Sequence, residues 1–453
     1  MSLTGLVFFL CFVAASGASL LVASGAVSFY LYQFVYLFAP TQRWWGDSLP
    51  GLPFSFIASS LLLLAVVIQY ERTQHNHLIR IAPFWWLVSI VCVFIVVDFW
   101  AVAPADHTEG LIDLIKLSIV LFCAFKLIDT PKRLEMALWF YLLGCAYIGY
   151  EAYTVGRDEF GRVEGIGPID SPDSNGAAAV LVPAIPVFLY FVWRVRGYMR
   201  YTAMFFAIFT LNALVLLNSR GAFLGVLAGG LYSVRFVFFS SLISFKQRLY
   251  VFLLMIACLA TALYLTDDTF WDRMSTIQSD DELESGSHRT DMWFATFDLL
   301  RDHPGGVGVY GFQHLSQIYV DPELFFDGQR FKAVHSMWFQ SMAELGWVGI
   351  IVLLGLVFST YIMMRRVRKM LYKHKRMDDY FLAIAVESGL VGYLAVGTFI
   401  DQFRAQILYW FILFCACAYN IFYLRFKDLP PVVVHETAAQ KADRKGLPRF
   451  RLS

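Results

Sequence analysis

Charged residues are scarce in this chain of 453 residues: Asp, Glu, Lys and Arg make up 16% of it, and hydrophobic residues make up 58%. Soluble domains carry about 25% charged residues, so the composition excludes an ordinary soluble protein. The hydrophobic residues form repeated runs of roughly the length that a helix needs to cross a bilayer. Because a backbone in lipid must satisfy its own hydrogen bonds, the sequence predicts an all-α polytopic membrane protein.

Motifs that would indicate several other kinds of protein are also missing. All seven cysteines lie in apolar runs and none in the one long polar segment, so no disulfide framework is predicted. No cluster of His, Cys, Asp or Glu has metal-ligand spacing, and no Walker-type loop or Gly-x-Ser-x-Gly elbow occurs. We therefore predict no metal and no cofactor. The net charge of +1 gives no reason to expect a nucleic-acid partner.

Apolar runs divide the chain into about twelve predicted transmembrane helices. The first run, residues 4–39, is too long for one untilted span and short for two, and either Ser16-Gly17 or Ser24-Gly25 could break it. The total is twelve helices, or thirteen if this run is a hairpin. Further spans are predicted near 53–69, 83–103, 111–128, 135–155, 177–194, 201–217, 221–240, 249–266, 336–363, 379–400 and 406–424.

The distribution of Lys and Arg predicts the orientation of these spans. Seven of them lie in the loop 365–376 and seven more from Arg425 onward, so both segments are expected to be cytoplasmic. The long loop 267–335 carries thirteen Asp and Glu against five Lys and Arg, and helix parity places it on the outside. The predicted organisation is N-terminal transmembrane helices (1–266), a long outward loop with short helices (267–335), C-terminal transmembrane helices (336–424) and a basic cytoplasmic tail (425–453).

Three residues near the predicted outer surface are candidates for chemistry. Arg220 separates two spans, and it is either a helix-end arginine that reaches lipid headgroups or a clamp for a diphosphate. Arg289 precedes a predicted helix with an apolar stripe of Trp293, Phe294, Phe297 and Leu300, and is either a surface residue or a second clamp. His335 begins the span that follows the loop, either as a helix-start histidine or as a general base.

Other charged residues have weaker claims. Lys116 lies three residues after Asp113, and a local ion pair on one helix explains this spacing better than a site. Ionisable residues in membrane spans are nonetheless functional suspects, and Asp98, Glu151, Glu387, Asp401 and Arg404 belong to this class.

The glycine run Gly306-Val-Gly308-Val-Tyr-Gly311 matches a dinucleotide-binding pattern only literally. That motif requires a βαβ unit, which is not predicted here. A tight turn is expected instead, whose N–H groups could form a small anion nest.

Taken in order, three motifs resemble those of the O-antigen ligase and polymerase superfamily of bacterial envelope enzymes. They are Asn218-Ser219-Arg220-Gly221 between two spans, then His288-Arg289-x-x-x-Trp293 followed by His303-Pro304-x-x-Gly-Val-Gly308 in the outward loop, then His335-Ser336-x-Trp338 with Glu344 and Gly346. The resemblance covers roughly 200–360 and extends more loosely to Arg162 and Asp173-Ser-Asn175.

The resemblance implies a GT-C-like membrane glycosyltransferase in the bacterial inner membrane, with its active site facing the periplasm. Its donor would be a glycan on undecaprenyl diphosphate, and its acceptor a hydroxyl on lipid A–core, on another glycan or on a protein. By position, Arg220 and Arg289 would hold the donor diphosphate and His335 would activate the acceptor, with Lys116, Arg162 and Glu344 as possible support. A flippase or transporter is the alternative from another class, since twelve helices suit it equally well.

Overall fold

The computed structural model of the chain describes residues 2–21, 25–159, 161–268, 270–271, 288–325 and 330–425. Every regular element within these ranges is a helix, so the predicted all-α class is confirmed. The predictions for the acidic residues from Asp272 to Glu284 and for the tail from Phe426 onward lie outside the described residues. The longer helices are α1 (Leu3–Leu21), α2 (Ala26–Phe38), α3 (Phe54–Ile68), α4 (Ala82–Val97), α5 (Pro104–Leu127), α6 (Pro131–Val155), α7 (Ser174–Leu181), α8 (Ala184–Arg194), α9 (Tyr198–Leu216), α10 (Arg220–Phe238), α11 (Phe245–Leu265), α12 (Arg289–Asp302), α13 (Gly311–Tyr319), α14 (Met337–Lys373), α15 (Met377–Gly397) and α16 (Gln406–Tyr419).

Several of these helices are suited to cross a membrane. Among the described residues, eight are long and apolar enough, or nine if the bent pair Phe54–Ile68 and Tyr70–Arg80 forms one span. The number is lower than twelve partly because α2 and α4 have only 13 and 16 residues, whereas a span needs about 20. In addition, α5 carries four charged residues between Asp106 and Lys116. A multi-pass membrane protein is supported, and the count of twelve stays a prediction.

The first apolar run forms two helices rather than one. α1 ends at Leu21 and α2 begins at Ala26 after Gly25, which favours the second of the two predicted break positions, Ser24-Gly25. The other predicted position, Ser16-Gly17, lies within α1, so that alternative was wrong. Gly25 packs against the ends of α3 and α5, where a Cβ atom would lie 2.9 Å from Leu127 Cδ2 and 3.1 Å from Ala65 Cβ. A residue without a side chain therefore allows this turn to approach the neighbouring helices closely.

The two ends of the helix bundle differ in character. At one end, beyond the C-terminus of α16, Arg425 Nη1 donates to the backbone oxygen of Asp129 at 2.8 Å. At the other end, the backbone N–H of Gln406, the first residue of α16, donates to Asp170 at 2.9 Å, and Tyr36 donates to the same carboxylate. Arg425, predicted to be cytoplasmic, and the loop that carries Asp170 thus lie at opposite ends of the bundle. The side of the membrane that each end faces stays a prediction.

A break in α14 shapes the end of the bundle near Asp170. Gly346 has non-helical backbone angles (φ 69°, ψ −162°), so a nine-residue segment, 337–345, precedes the long helix. The turn at Pro304 docks against this break: Trp347 N donates to Pro304 O at 3.2 Å, and Gly308 N donates to Glu344 O at 3.0 Å. A Cβ atom on Gly346 would fall 2.2 Å from Pro304 O, so both the positive φ and the close approach require glycine.

The glycine run forms the predicted tight turn, but it does not form an anion nest. Gly306 and Gly308 have φ values of 78° and 80°, as expected for residues that allow sharp reversals. Val307 N and Gly308 N donate to carbonyl oxygens of α14 at 2.9 and 3.0 Å, and Val309 N donates to His107 Nδ1 at 3.1 Å. The nest prediction was wrong because these donors are used to attach the turn to the bundle.

Aromatic side chains attach α12 to the beginning of α14. Trp293 stacks on Phe339 with ring centroids 5.2 Å apart, and Phe297 packs edge-on against the same ring at 5.5 Å. Phe297 also stacks on Trp347 at 6.1 Å. Phe294 is 66% exposed, so it does not belong to the predicted packing stripe. These contacts fix the position of α12, and therefore of Arg289 at its start, relative to α14.

Small residues bring α10 and α15 into close contact. A Cβ atom on Gly225 would lie 2.9 Å from Gly392 O, and one on Gly229 would lie 2.9 Å from Ser388 O. Small residues at four-residue spacing are a common way to let membrane helices approach each other. The contact fixes α10, which begins with Arg220, against the helix that leads to Asp401.

We predict opposite effects for the same substitution at two neighbouring positions of α10. Gly229→Ala should lower stability by about 1–3 kcal/mol, because the new methyl group collides with backbone atoms that cannot move aside. Gly230→Ala is the matched control: its Cβ atom meets nothing within 4 Å, and it should be neutral or stabilising by up to about 1 kcal/mol through helix propensity. Thermal unfolding of both purified variants in detergent would measure the difference. Equal melting temperatures would contradict the tight contact between the two helices.

Candidate functional site

Arg220 occupies the first position of α10, directly after a turn formed by Asn218 and Ser219. Asn218 adopts a left-handed conformation with φ 51°, which asparagine tolerates better than most residues. Ser219 caps α10, where its hydroxyl accepts from Ala222 N at 3.4 Å and donates to Asn175 Oδ1 at 2.9 Å. The Asn-Ser-Arg turn is thereby connected to the start of α7, and the guanidinium group leaves α10 at its N-terminal end.

Arg162 is connected to the same start of α7. Asp173 caps this helix by accepting from Asn175 N and Gly176 N, each at 3.0 Å. Ser174 Oγ accepts from Arg162 Nη1 at 3.2 Å. Arg162, which the sequence suggested only as possible support, is therefore joined to Arg220 through a short chain of polar contacts along the first turn of α7.

Arg289 occupies the first position of α12 and completes a group of three arginines. Burial and then the charges of Arg220 and Arg162 lower the pKa of the Arg289 guanidinium. Its Nε is buried and has no hydrogen-bond partner among the described residues. Cations that repel one another, together with a buried donor that makes no hydrogen bond, cost free energy. Such an arrangement is suited to an anion that binds several guanidinium groups at once.

His335 lies beside this group in a strained backbone conformation. Its φ is 57°, which is uncommon for residues other than glycine. Asp401 Oδ1 accepts from Ser336 N at 2.9 Å, and the Asp401 carboxylate also accepts from the backbone N–H of His335. Asp401 lies between α15 and α16, so this carboxylate fixes the start of α14 to the far side of the site.

The surroundings of His335 favour the neutral imidazole. The side chain remains accessible to solvent. Desolvation by the surrounding protein, followed by the charges of Arg289 and Lys332, lowers the pKa of His335 from 6.5 to about 4. The pKa of His335 thus lies below the usual range of roughly 6–7 for histidine. Because the imidazole is neutral at pH 7, it has a lone pair with which to accept a proton.

The candidate residues share a position relative to helix termini. Arg220 and Arg289 each begin a helix, and His335 immediately precedes Ser336, which caps α14. The N-terminus of a helix carries a partial positive charge and unpaired N–H groups, both of which attract anions. The site therefore combines positive helix ends with guanidinium groups.

Glu344 and Lys116 lie apart from the arginine group. Glu344 is buried in the short segment 337–345, where Gln340 Nε2 donates to its Oε1 at 2.9 Å. It lines a neighbouring cavity rather than the space between the arginines. Lys116 is exposed and pairs with Asp113 at 2.9 Å, as the helical spacing predicted. Neither residue is placed beside His335, so the structure gives no support to a direct role for Lys116.

Sequence reasoning undervalued Asp401. The sequence places Asp401 among several charged residues in or near spans, and no motif makes it a better site candidate than Asp98 or Glu387. The structure separates them: Glu387 forms a buried ion pair with Arg368, and Asp98 accepts a hydrogen bond from Thr108 at 3.1 Å. The contacts of Asp401 with the backbone of His335 and Ser336 are long-range, so no local pattern could have revealed them.

The remaining histidines of the loop are placed less favourably. His288 caps α12 and lies 3.3 Å from Asp291, and His314 Nε2 lies 3.9 Å from Asp106. His303 ends α12 and its carbonyl oxygen accepts from Gly306 N. Within the described part of the chain, no group of three or more His, Cys, Asp or Glu side chains could hold a metal ion.

Comparison with known proteins bears on this arrangement. No curated protein sequence matches the chain. A family model described as O-antigen ligase matches residues 205–354, a range that contains Arg220, Arg289, His335 and Glu344 but excludes Arg162 and Asp401. The family implies a glycan-transferring enzyme that acts on lipid-linked substrates. The predicted resemblance to the O-antigen ligase and polymerase superfamily is therefore confirmed over residues 205–354, about a third of the chain.

Proposed function

We propose that this protein transfers a glycan from undecaprenyl diphosphate to an acceptor hydroxyl, as an O-antigen ligase that acts on lipid A–core. One observation carries the proposal. Arg220 lies close enough to Arg162 and Arg289 for its charge to lower the pKa of both, and this group lies beside the neutral imidazole of His335. A diphosphate satisfies the arginines, and a hydroxyl satisfies the imidazole. The two halves of a glycosyl transfer thus have separate, adjacent partners.

The arginines act on the leaving group. In a single displacement the acceptor oxygen bonds to the anomeric carbon, and the bond from that carbon to the diphosphate oxygen breaks. Undecaprenyl diphosphate leaves with the electron pair, and the configuration at the anomeric carbon inverts. Charge that develops on the diphosphate is stabilised by fixed guanidinium groups and helix N-termini. In this proposal the protein supplies the cations itself and uses no divalent metal.

His335 removes the proton of the acceptor hydroxyl. A base with a pKa of about 4 is a weak proton acceptor at neutral pH, because the best general base has a pKa near the working pH. A bound diphosphate changes this, since its negative charge offsets Arg289, one of the groups that lower the pKa of His335. The imidazole therefore becomes a stronger base when the donor is in place, which couples activation of the acceptor to donor binding.

The proposed location is the bacterial inner membrane, with the site facing the periplasm. Arg425 lies at the opposite end of the bundle from the loop that carries Asp170. Basic residues concentrate on the cytoplasmic side of membrane proteins. This separation favours a site on the outer side, where a lipid-linked glycan would meet its acceptor.

Both diphosphate-binding arginines should be required, and lysine should replace them poorly. Arg220→Ala and Arg289→Ala should each lower transfer by roughly 10²–10³-fold. The corresponding lysine variants should recover only part of it, since lysine cannot make two parallel hydrogen bonds to phosphate. Transfer from an undecaprenyl-diphosphate glycan to lipid A–core is measured with purified protein in liposomes.

Arg301→Ala is the matched control, because this arginine lies on the same helix as Arg289 and is 80% exposed in a pair with Asp298. It should leave transfer unchanged. The same assay in EDTA should retain activity, whereas loss in EDTA with specific recovery by magnesium or manganese would contradict a metal-free reaction. Normal transfer by both lysine variants would show that a point charge is sufficient.

His335 should determine turnover rather than donor binding. His335→Gln should lower the transfer rate by roughly 10²–10⁴-fold and leave binding of the lipid-linked donor nearly unchanged. In the wild type, kcat/KM should fall as pH drops through about 4, because protonation removes the base from the free enzyme. The acidic limb of kcat should lie at higher pH, since the bound diphosphate raises the pKa.

The matched control is His303→Gln, a loop histidine at the end of α12, which should keep both rate and profile. If His335→Gln instead abolished donor binding with normal turnover per bound donor, His335 would be a donor ligand and the assignment of the base would be wrong.

A deletion strain distinguishes the ligase from the polymerase that the resemblance also allows. Loss of a ligase should remove all glycan from lipid A–core while lipid-linked polymer accumulates. Loss of a polymerase would instead leave single repeats attached. Lipopolysaccharide profiles and extracted lipid-linked glycans report the two outcomes directly.

A further inference from the structure

The cavity that Glu344 lines adjoins the proposed catalytic site and is not used by the donor chemistry. Its volume is about 410 Å³, and it lies between α5, the loop before α7, the glycine turn and the short first segment of α14. Val334 and Asp401 line it, and Asp401 is the residue that binds the backbone of His335 and Ser336. The cavity therefore shares a wall with the proposed base.

The charge of this cavity is opposite to that of the arginine group. Among the described residues, six carboxyl groups line it together with one cation, Arg404, and one of the six, Asp113, is paired with the neighbouring Lys116. The six are Asp106, Glu109, Asp113, Asp170, Glu344 and Asp401. An anion that enters would be repelled by this wall, whereas a neutral or cationic group would not. The two halves of the site thus differ in the charge of the ligand that each accepts.

Two buried polar atoms in the wall lack hydrogen bonds. Glu344 is 4% exposed and its Oε2 lies 3.3 Å from Arg404 Nε. Neither atom makes a hydrogen bond within the described residues. The two atoms form an ion pair with each other, but their hydrogen-bonding capacity stays unused, which is costly for buried groups. A sugar hydroxyl, which donates and accepts at once, would satisfy a carboxylate oxygen and a guanidinium N–H that lie side by side.

The walls also contain apolar surface of the kind found in small-molecule sites. Tyr310 and Phe312 line the cavity, and the guanidinium of Arg404 lies 4.8 Å from the centre of the Tyr310 ring. A concave site with aromatic residues and a few fixed polar groups is typical of ligand pockets. A metal ion is a poor alternative occupant, because no group of three His, Cys, Asp or Glu side chains in the described ranges is arranged to hold one.

We propose that this acidic cavity binds the acceptor sugar and selects one that carries no phosphate or carboxylate, with amino-substituted sugars preferred over neutral ones. The acceptor hydroxyl then reaches His335 from the side of Asp401, while the donor diphosphate occupies the arginines. The inference rests on the proposed function for the identity of the reaction, but the preference for ligand charge follows from the cavity alone.

Direct binding tests the preference without any transfer. Glucosamine, N-acetylglucosamine and N-acetylglucosamine 6-phosphate form a matched series of cationic, neutral and anionic sugars. Their affinities for the full-length protein in detergent are measured by saturation-transfer NMR titration. We expect glucosamine to bind most tightly and the phosphate most weakly. The double variant Glu109→Gln, Asp113→Asn should weaken glucosamine binding by about five-fold or more and strengthen binding of the phosphate, since one ion pair at close range in water contributes roughly that factor.

Asp298→Asn is the matched control, because it removes a carboxylate of α12 that lies outside the cavity. It should leave all three affinities unchanged. The proposal would be overturned if the wild type bound the sugar phosphate most tightly. It would also be overturned if calcium alone displaced the sugars, or if the cavity variant and the control variant had equal effects. Failure of the proposed transfer reaction would be seen separately, as normal transfer by the Arg220 and Arg289 variants, and would not alter the binding results.

Discussion

The concentration of positive charge at Arg162, Arg220 and Arg289 is the constraint on which the rest of this structure depends. These guanidinium groups repel one another and are partly removed from water, so the fold must hold them together at a cost in free energy. It does so with capped helix starts and tight packing. Ser219 and Asp173 cap neighbouring helices, and the contact of Gly225 and Gly229 with α15 fixes α10 as a unit.

Aromatic packing and one carboxylate fix the segment that leads from α12 into α14. Trp293 and Phe297 pack on Phe339, so the helix that carries Arg289 is attached directly to the helix that follows His335. Asp401 then fixes the backbone of His335 from the opposite side. Because rigid elements position catalytic groups more accurately than free loops, the segment between α11 and α14 can present both an arginine and a histidine with a defined geometry.

Two neighbouring regions of opposite charge separate the binding of the donor from that of the acceptor in the proposed reaction. The arginine group attracts a diphosphate, and the cavity beside it, with six carboxyl groups around Arg404, repels one. An anionic donor would therefore bind at the arginine group, and an acceptor without negative charge would bind in the cavity. Desolvation, followed by the charges of Arg289 and Lys332, lowers the pKa of His335. In the proposed mechanism a bound diphosphate offsets Arg289 and reverses part of this shift.

The sequence by itself determined the helical membrane class and indicated Arg220, Arg289 and His335 as candidates, because these depend on hydropathy and local motifs. It left open whether the first apolar run forms one span or two. It also predicted the local pair of Asp113 and Lys116, which lie one helical turn apart. Only the tertiary structure decided that Arg162 joins the group, that Asp401 holds His335 and that the glycine turn uses its N–H groups for docking. These depend on residues far apart in the chain, whose contacts exist only once the helices have packed. The lowered pKa of His335 has the same origin, since it depends first on desolvation by the packed protein and then on the charges of Arg289 and Lys332.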